Sequence, residues 1–274
     1  MHSRRFSQYD TVMKVIILAG GLGTRLSEET ENRPKPMVLI DDKPILWHIM
    51  NSFSQQGVKE FILALGYRSD VIKRWLLDLN DLDGDITIDT LNRKVHHREK
   101  SEHNAWTVTA LETGLNTQTG GRIAQCMKAF PGERVIATYG DGLANVSVKS
   151  LLEFHEGHGK LATVTAVRPP ARFGHLHIEG SQVTHFGEKK QSDAGWINGG
   201  YFVLEPEVVD YVFHDDEPFE TSALPRLVEK NQLMAYHHYD FWQPMDTLRE
   251  RNELSVMAKE TPPPWLRIDD TPRM

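Results

Sequence analysis

The chain has 274 residues, of which 39% are hydrophobic and 25% charged, with a formal net charge of −7 at neutral pH. This is ordinary globular composition, and the length allows folding to bury roughly three quarters of the surface the unfolded chain exposes. An acidic balance with dispersed Lys and Arg argues against a dedicated nucleic-acid binder, which needs a basic stripe. The single cysteine, Cys126, forbids an internal disulfide and a cysteine-cluster zinc site, and fits a reducing compartment. No run approaches the ~20 apolar residues of a membrane span, and MHSRRFSQYDTV has no apolar core like that of a signal peptide. A cytoplasmic location is therefore expected, with no membrane or nucleic-acid partner.

Residues 1–12 mix charged and small polar groups without a period and read as a flexible leader. A single domain is expected over 13–265 and a C-terminal tail over 266–274. The run MKVIILA from Met13 predicts the first strand. From Gly20 to Arg33 the chain is rich in Gly, Thr, Glu and Asn, and Pro34 and Pro36 keep it from becoming one helix, so a long loop is expected. Pro44 then opens a helix, ILWHIMNSFSQQ, with Ile45, Ile49 and Phe53 at helical spacing and Gly57 as its C-cap. KEFILAL predicts a strand, Ser69 to Leu79 a helix, ITIDTL near residue 86 a strand, and Arg122 to Phe130 a helix preceded by Gly120-Gly121. RVIATY predicts a strand ending in GDG at 140–142, followed by a helix from about Ser147 to His158 and the strand LATVTAV at 161–167. This rhythm implies an α/β fold with a mostly parallel sheet and helices on both faces. Beyond Arg168 the pieces HLHIEG, QVTHFGE and INGGYFVLE suggest an antiparallel extension. A helix from about Ala223 to Asn231, a strand through MAYHHYDFW and a helix from Leu248 to Lys259 complete the pattern.

The segment LAGGLGTRL, residues 18–26, followed by RPKPM at 33–37, has the composition of a phosphate cradle. Small residues let backbone N–H groups approach an anion, and glycines supply positive-φ turns that point them inward. The same glycines would also serve a tight strand-to-loop turn. A P-loop would need Gly-Lys-Ser/Thr where Thr24-Arg25 stand, and a dinucleotide fingerprint would need a small residue where Leu26 stands. Arg25 and Lys35 flank the loop with the charge a polyphosphate requires. Asp141 follows an apolar strand and so would face the crevice at the strands' carboxyl ends, either as a metal ligand or as a turn residue. Asp246 is the candidate second acid, or else the N-cap of the helix that follows it.

In GEKK at 187–190 and WINGGYF at 196–202, a lysine could neutralise a second anion and Asn198 could read hydroxyls. Composition alone favours a solvated lysine pair and a hairpin turn. His96-His97 and His237-His238 lie in strand-like segments whose neighbours point to opposite faces, a poor metal pair. HEGH at 155–158 lacks HExxH spacing and no GxSxG occurs, so hydrolase readings lack a nucleophile. Trp106, Trp196 and Trp242 read as packing, and Cys126 as a small core residue.

LAGGLGTRL with RPKPM resembles the signature of the sugar-1-phosphate nucleotidylyltransferases. KPILWHIM, TGGR, TYGDG, EK, INGGYFVL and FWQPMDT are similar to the cytidylyltransferase branch of that family that acts on glucose 1-phosphate. The resemblance runs from about Met13 to Trp265. It implies a Rossmann-like nucleotidyltransferase fold, with a mixed, mostly parallel central sheet flanked by helices and a small antiparallel β extension. It also implies that Leu18, Ala19, Gly20, Gly21, Gly23, Thr24 and Arg25 hold the nucleotide, with Lys35 at the phosphates, Thr117 and Arg122 on the cytosine side and Gly140 at the nucleotide's sugar. Asp141 and Asp246 would hold Mg²⁺. Lys189 would bind the phosphate of the sugar phosphate, and Glu188, Asn198 and Tyr139 would lie near its hydroxyls. Arg25, Lys35, Asp141 and Lys189 would form the catalytic set. The family usually continues EK with proline; Lys190 stands there, and residues 191–195 also depart from its pattern. The implied substrates are CTP and glucose 1-phosphate, the cofactor Mg²⁺, and the assembly a homo-oligomer. Another sugar 1-phosphate, dTTP or UTP, and a non-catalytic sugar-nucleotide sensor stay open as alternatives. Such a reaction needs no catalytic base, because a phosphate monoester with a second pKa near ~6 is already largely dianionic at neutral pH.

Overall fold

The computed structural model describes residues 13–21, 23, 26–30, 33–81, 85–97, 105–169, 174–179, 181–188 and 195–269. The β-branched run KVIIL forms β1 (Lys14–Leu18), and Val15, Ile16 and Ile17 are fully buried, as a central strand covered on both faces requires. The loop after it holds the one-turn helix α1 (Ser27–Thr30) and a 3₁₀ turn (Lys35–Met37). A small hairpin of β2 (Leu39–Ile40) and β3 (Lys43–Pro44) then leads into α2 (Ile45–Ser54). That helix buries Ile45, Leu46, Ile49, Met50 and Phe53, and Gly57 at φ +90° turns the chain into β4 (Glu60–Leu65).

Helix α3 (Ser69–Asp81) is followed by a separate hairpin of β5 (Ile86–Asp89) and β6 (Lys94–His97). ITIDTL therefore does not join the main sheet. That place is taken by β7 (Thr107–Glu112), whose four central residues are half-buried and lack a sharp apolar run. Helix α4 (Thr119–Ala129) starts earlier than expected, and Gly120 and Gly121 lie in its first turn. A Cβ on Gly121 would fall 2.3 Å from the Asp215 carbonyl oxygen and one on Gly120 2.7 Å from that of Glu217, so the glycines serve close packing.

Strand β8 (Val135–Tyr139) leads to β9 (Gly142–Ala144), α5 (Val148–His158) and β10 (Ala162–Val167). Hairpin β11 (Gly174–Glu179) and β12 (Gln182–Glu188) forms the expected antiparallel extension. The segment INGGYFVLE does not belong to it: β13 (Ile197–Leu204) enters the central sheet between β8 and β10. The chain ends with α6 (Ala223–Glu229), β14 (Leu233–His237), β15 (Trp242–Pro244) and α7 (Leu248–Met257). MAYHHYDFW is therefore two strands, β14 at the edge of the main sheet and β15 paired with β9.

The central sheet has the order β14-β10-β13-β8-β1-β4-β7, and β13 alone runs against the other six. Alternation in β1 sends Val15 and Ile17 into one core with α2 and Trp265, and Ile16 into the other with Ile123 of α4 and Leu227 of α6. From β1 the chain builds outward through β4 and β7, then returns to place β8 on β1's other side. The carboxyl ends of β1 and β8 thus flank a topological switch point, where open α/β sheets bind ligands. No helix among the described residues is long and apolar enough to cross a membrane.

Candidate active site

A cleft of about 400 Å³ opens at that switch point. Leu18, Gly20, Gly21 and Gly23 bring the loop after β1 to one wall, and Tyr139, Gly140 and Asp141 bring the end of β8 beside it. Leu18 and Tyr139 are register partners in the sheet, and the Gly140 N–H donates to the Leu18 carbonyl at 3.1 Å. A Cβ on Gly140 would lie 2.6 Å from that same oxygen, so only glycine lets the two strand ends meet. Leu115, Thr117, Gln118, Thr119 and Arg122 also line it, as do Lys35, Pro36 and Asp246.

Lys35 bridges two chain segments that are far apart in sequence. Its Nζ lies 2.6 Å from Asp141 Oδ2 and 2.7 Å from Asp246 Oδ1. Burial works against the ammonium, but the two carboxylates outweigh it and hold the Lys35 pKa above the ordinary lysine value. The N-cap of α7 is Thr247 and not Asp246. The Thr247 hydroxyl accepts from the Glu250 N–H at 3.2 Å, and Glu250 Oε2 accepts from the Thr247 and Asp246 N–H groups at 3.0 and 2.8 Å, completing a capping box.

Arg122 lies beneath the glycine loop and is only 4% exposed. Its guanidinium donates to the carbonyls of Leu65 (2.8 Å), Gly20 (3.1 Å) and Leu115 (3.4 Å), and to the Thr113 hydroxyl. Burial pulls its pKa below the usual arginine value, and among the described residues no carboxylate pairs with it. A Cβ on Gly20 would fall 2.2 Å from Arg122 Nη1 and one on Gly66 2.7 Å from it, so two glycines make room for this buried cation. Thr117 is held by its hydroxyl donating to the Thr113 carbonyl.

Beside Tyr139 the sequence pattern INGGYF is not a hairpin turn but a bulge in a continuous strand. Val164 faces Phe202, yet Ala166 faces Asn198, and Gly200 takes φ +78° to absorb the mismatch. A Cβ on Gly200 would lie 2.3 Å from the Tyr139 ring. The bulge aims the Asn198 side chain at Tyr139, whose hydroxyl oxygen accepts from Asn198 Nδ2 at 3.0 Å. Trp242, expected as packing alone, also donates its indole N–H to the Gly199 carbonyl at 2.8 Å. Burial first, then the neighbouring Glu220, pushes the Tyr139 phenol well above its ordinary pKa, so it stays protonated.

Of the residues named from sequence, Leu18, Gly20, Gly21, Gly23, Lys35, Thr117, Arg122, Tyr139, Gly140, Asp141 and Asp246 line this one cleft. Ala19 is buried in the core instead, its N–H donating to the Ala64 carbonyl, because it continues the β1 pairing. Asn198 joins the cleft through Tyr139. Thr24, Arg25 and Lys189 lie outside the described residues, as does the side chain of Glu188. Pro36, Leu115, Gln118 and Thr119 line the cleft without having been expected. Pro36 and Thr119 belong to the motifs RPKPM and TGGR, while Leu115 and Gln118 lie in neither.

A glycine-rich loop and a convergent Lys-Asp-Asp cluster at the switch point of a mostly parallel sheet define an α/β nucleotide-binding enzyme domain. The chain belongs to the nucleotidyl transferase family, which matches residues 14–249. It is 44% identical over 256 residues to the glucose-1-phosphate cytidylyltransferase of Salmonella typhi, covering 92% of this chain and 98% of that one. It is 42% identical over 254 residues to the probable glucose-1-phosphate cytidylyltransferase of Bacillus subtilis (strain 168), covering 92% and 99%. Among solved structures it is similar to HddC from Yersinia pseudotuberculosis, also solved in complex with GMP-PN. The TM-score there is 0.67 with 25% identity, over 90% of this chain and 100% of that one.

Proposed function

We propose that this protein transfers a cytidylyl group from CTP to α-D-glucose 1-phosphate, releasing pyrophosphate and forming CDP-glucose. The observation that carries the chemistry is the convergence of Asp141 and Asp246 on the Lys35 ammonium beside the glycine loop. The choice of nucleotide and sugar rests on the two cytidylyltransferase relatives, each matched over nearly its whole length.

A phosphate oxygen of the sugar phosphate attacks the α-phosphorus of CTP as the bond to the β-phosphate breaks. The protein must align two polyanions and offset the charge that develops, with little covalent chemistry of its own. The loop after β1 receives the triphosphate, Lys35 neutralises it, and Thr117 and Arg122 bound the base side. Tyr139 and Asn198 face the sugar hydroxyls, and Arg25, Lys189 and Glu188 take the roles the family resemblance gives them. Asp141 and Asp246 are hard oxygen donors already grouped around a cation, which fits a Mg²⁺ ion that leaves its other positions to water and phosphate. Such an ion, when bound, supplies Lewis-acid stabilisation of the phosphoryl oxygens.

The test is pyrophosphate release with glucose 1-phosphate and Mg²⁺, comparing CTP, UTP, dTTP, ATP and GTP. Release with CTP that EDTA abolishes is the expected result. Release with another nucleotide would replace the cytidylyl assignment, and binding without release would favour a sugar-nucleotide sensor.

A further inference from the structure

Glu220, on the turn that enters α6, carries no motif and does not line the cleft, yet two cleft residues depend on it. Its Oε1 accepts from the Tyr139 hydroxyl, and its Oε2 from the Thr119 hydroxyl at 2.7 Å. An ionised carboxylate only accepts, so both hydroxyl protons must point toward Glu220. With its proton committed, the Tyr139 oxygen can only accept, and it takes Asn198 Nδ2 at 3.0 Å. Asn198 Oδ1 then takes the Gly200 N–H at 2.8 Å. Reversing the Asn198 amide would set its oxygen against a phenol oxygen with no proton to give, and its NH₂ against a backbone N–H. Thr119 is fixed in the same way, accepting from the Phe219 N–H at 2.8 Å while donating to Glu220.

We propose that Glu220 is the positioning residue of the sugar side of the cleft: by accepting the Tyr139 O–H it sets which end of the Asn198 amide is offered to substrate hydroxyls. This deepens the reading of Tyr139 and Asn198 given above and rests on it. Among the described residues, what remains at Asn198 is one amide N–H and one carbonyl lone pair in fixed directions, a pattern that discriminates a hydroxyl by its position.

Glucose 1-phosphate and its analogues each lacking one hydroxyl are compared in steady-state kinetics, with folding followed by thermal melting. Glu220→Ala removes both acceptors. It is expected to raise KM for glucose 1-phosphate about tenfold or more and to erase most discrimination among the analogues, with KM for CTP changed less than about threefold. Tyr139→Phe should do the same. Glu220→Gln is expected to restore discrimination, since its amide oxygen can still accept from Tyr139 while its NH₂ turns to Thr119. A purely structural role would shift melting and leave analogue selectivity and its rescue unmoved. Should Glu220→Ala fail to fold, Glu220→Met, closer in volume and without acceptors, gives the same readout. The proposal is overturned if Glu220→Ala or Glu220→Met keeps wild-type selectivity while Tyr139→Phe loses it. If Tyr139→Phe and Asn198→Ala both leave the sugar KM unchanged, the sugar-side reading itself fails.

Discussion

The Lys35 ammonium lies 2.7 Å from a carboxylate oxygen of Asp246, a residue 211 positions further along the chain. With Asp141 at 2.6 Å on the same nitrogen, one buried cation faces two carboxylates. An ammonium held there and a divalent cation would compete for the same oxygens. Lys35→Met should therefore strengthen Mn²⁺ binding in the absence of nucleotide by about tenfold or more, measured by electron paramagnetic resonance, while lowering turnover. Equal Mn²⁺ affinity in the two proteins would mean that the carboxylates do not form the cation site.

Asp141→Ala tests the same cluster from the acid side. The Asp141 side chain is 37% exposed, so its loss should leave thermal stability nearly unchanged. Turnover should fall by about three orders of magnitude or more, because the site loses one of the two carboxylates that would hold the cation offsetting charge on the transferring phosphoryl group. Activity within tenfold of the wild type would remove Asp141 from the site.

How much of this was legible beforehand depended on whether the signal was local. The glycine loop, TYGDG and the apolar runs of β1, β4 and β8 carry their meaning within a few residues, and the α/β fold and the strand-end part of the cleft followed from them, whereas Thr117 and Arg122 came from the family resemblance. Strand β7 did not, because its four central residues are half-buried and its Thr-Val-Thr alternation is weak beside ITIDTL, which instead closes a hairpin away from the main sheet. The bulge at Gly200 read as a turn because glycine pairs mark both, and only the register of β10 against β13 separates them. Glu220 was invisible for a further reason: its carboxylate accepts two hydroxyl hydrogen bonds, one from α4 and one from β8, and neither donor is near it in sequence.

Arg122 predicts a coupling between stability and nucleotide binding. Its fork satisfies three carbonyls in a buried space, which a lysine ammonium cannot match in geometry. Arg122→Lys should cost about 1–3 kcal/mol in urea unfolding, the usual penalty for buried acceptors left unmet, and should raise KM for CTP more than KM for glucose 1-phosphate. A larger effect on the sugar phosphate would place Arg122 on the wrong side of the cleft.

Acid should destabilise the fold before it touches the carboxylates. Burial depresses the pKa of His48, whose ring is edge-on to Trp265, and of His155, which lies between Thr163 and Glu205. For His155 the carboxylate of Glu205 opposes that shift without cancelling it. A histidine with a depressed folded pKa is neutral in both states well above its unfolded value near ~6.5, so stability there is undiminished. As pH falls through that value, the unfolded chain takes up protons the folded chain still refuses, and stability drops until the folded pKa is reached. Urea unfolding at pH 7.5, 6.5 and 5.5 should show this decline, and His48→Gln or His155→Gln should each reduce its slope by up to about one proton. A slope that neither substitution alters would assign the acid lability to other groups.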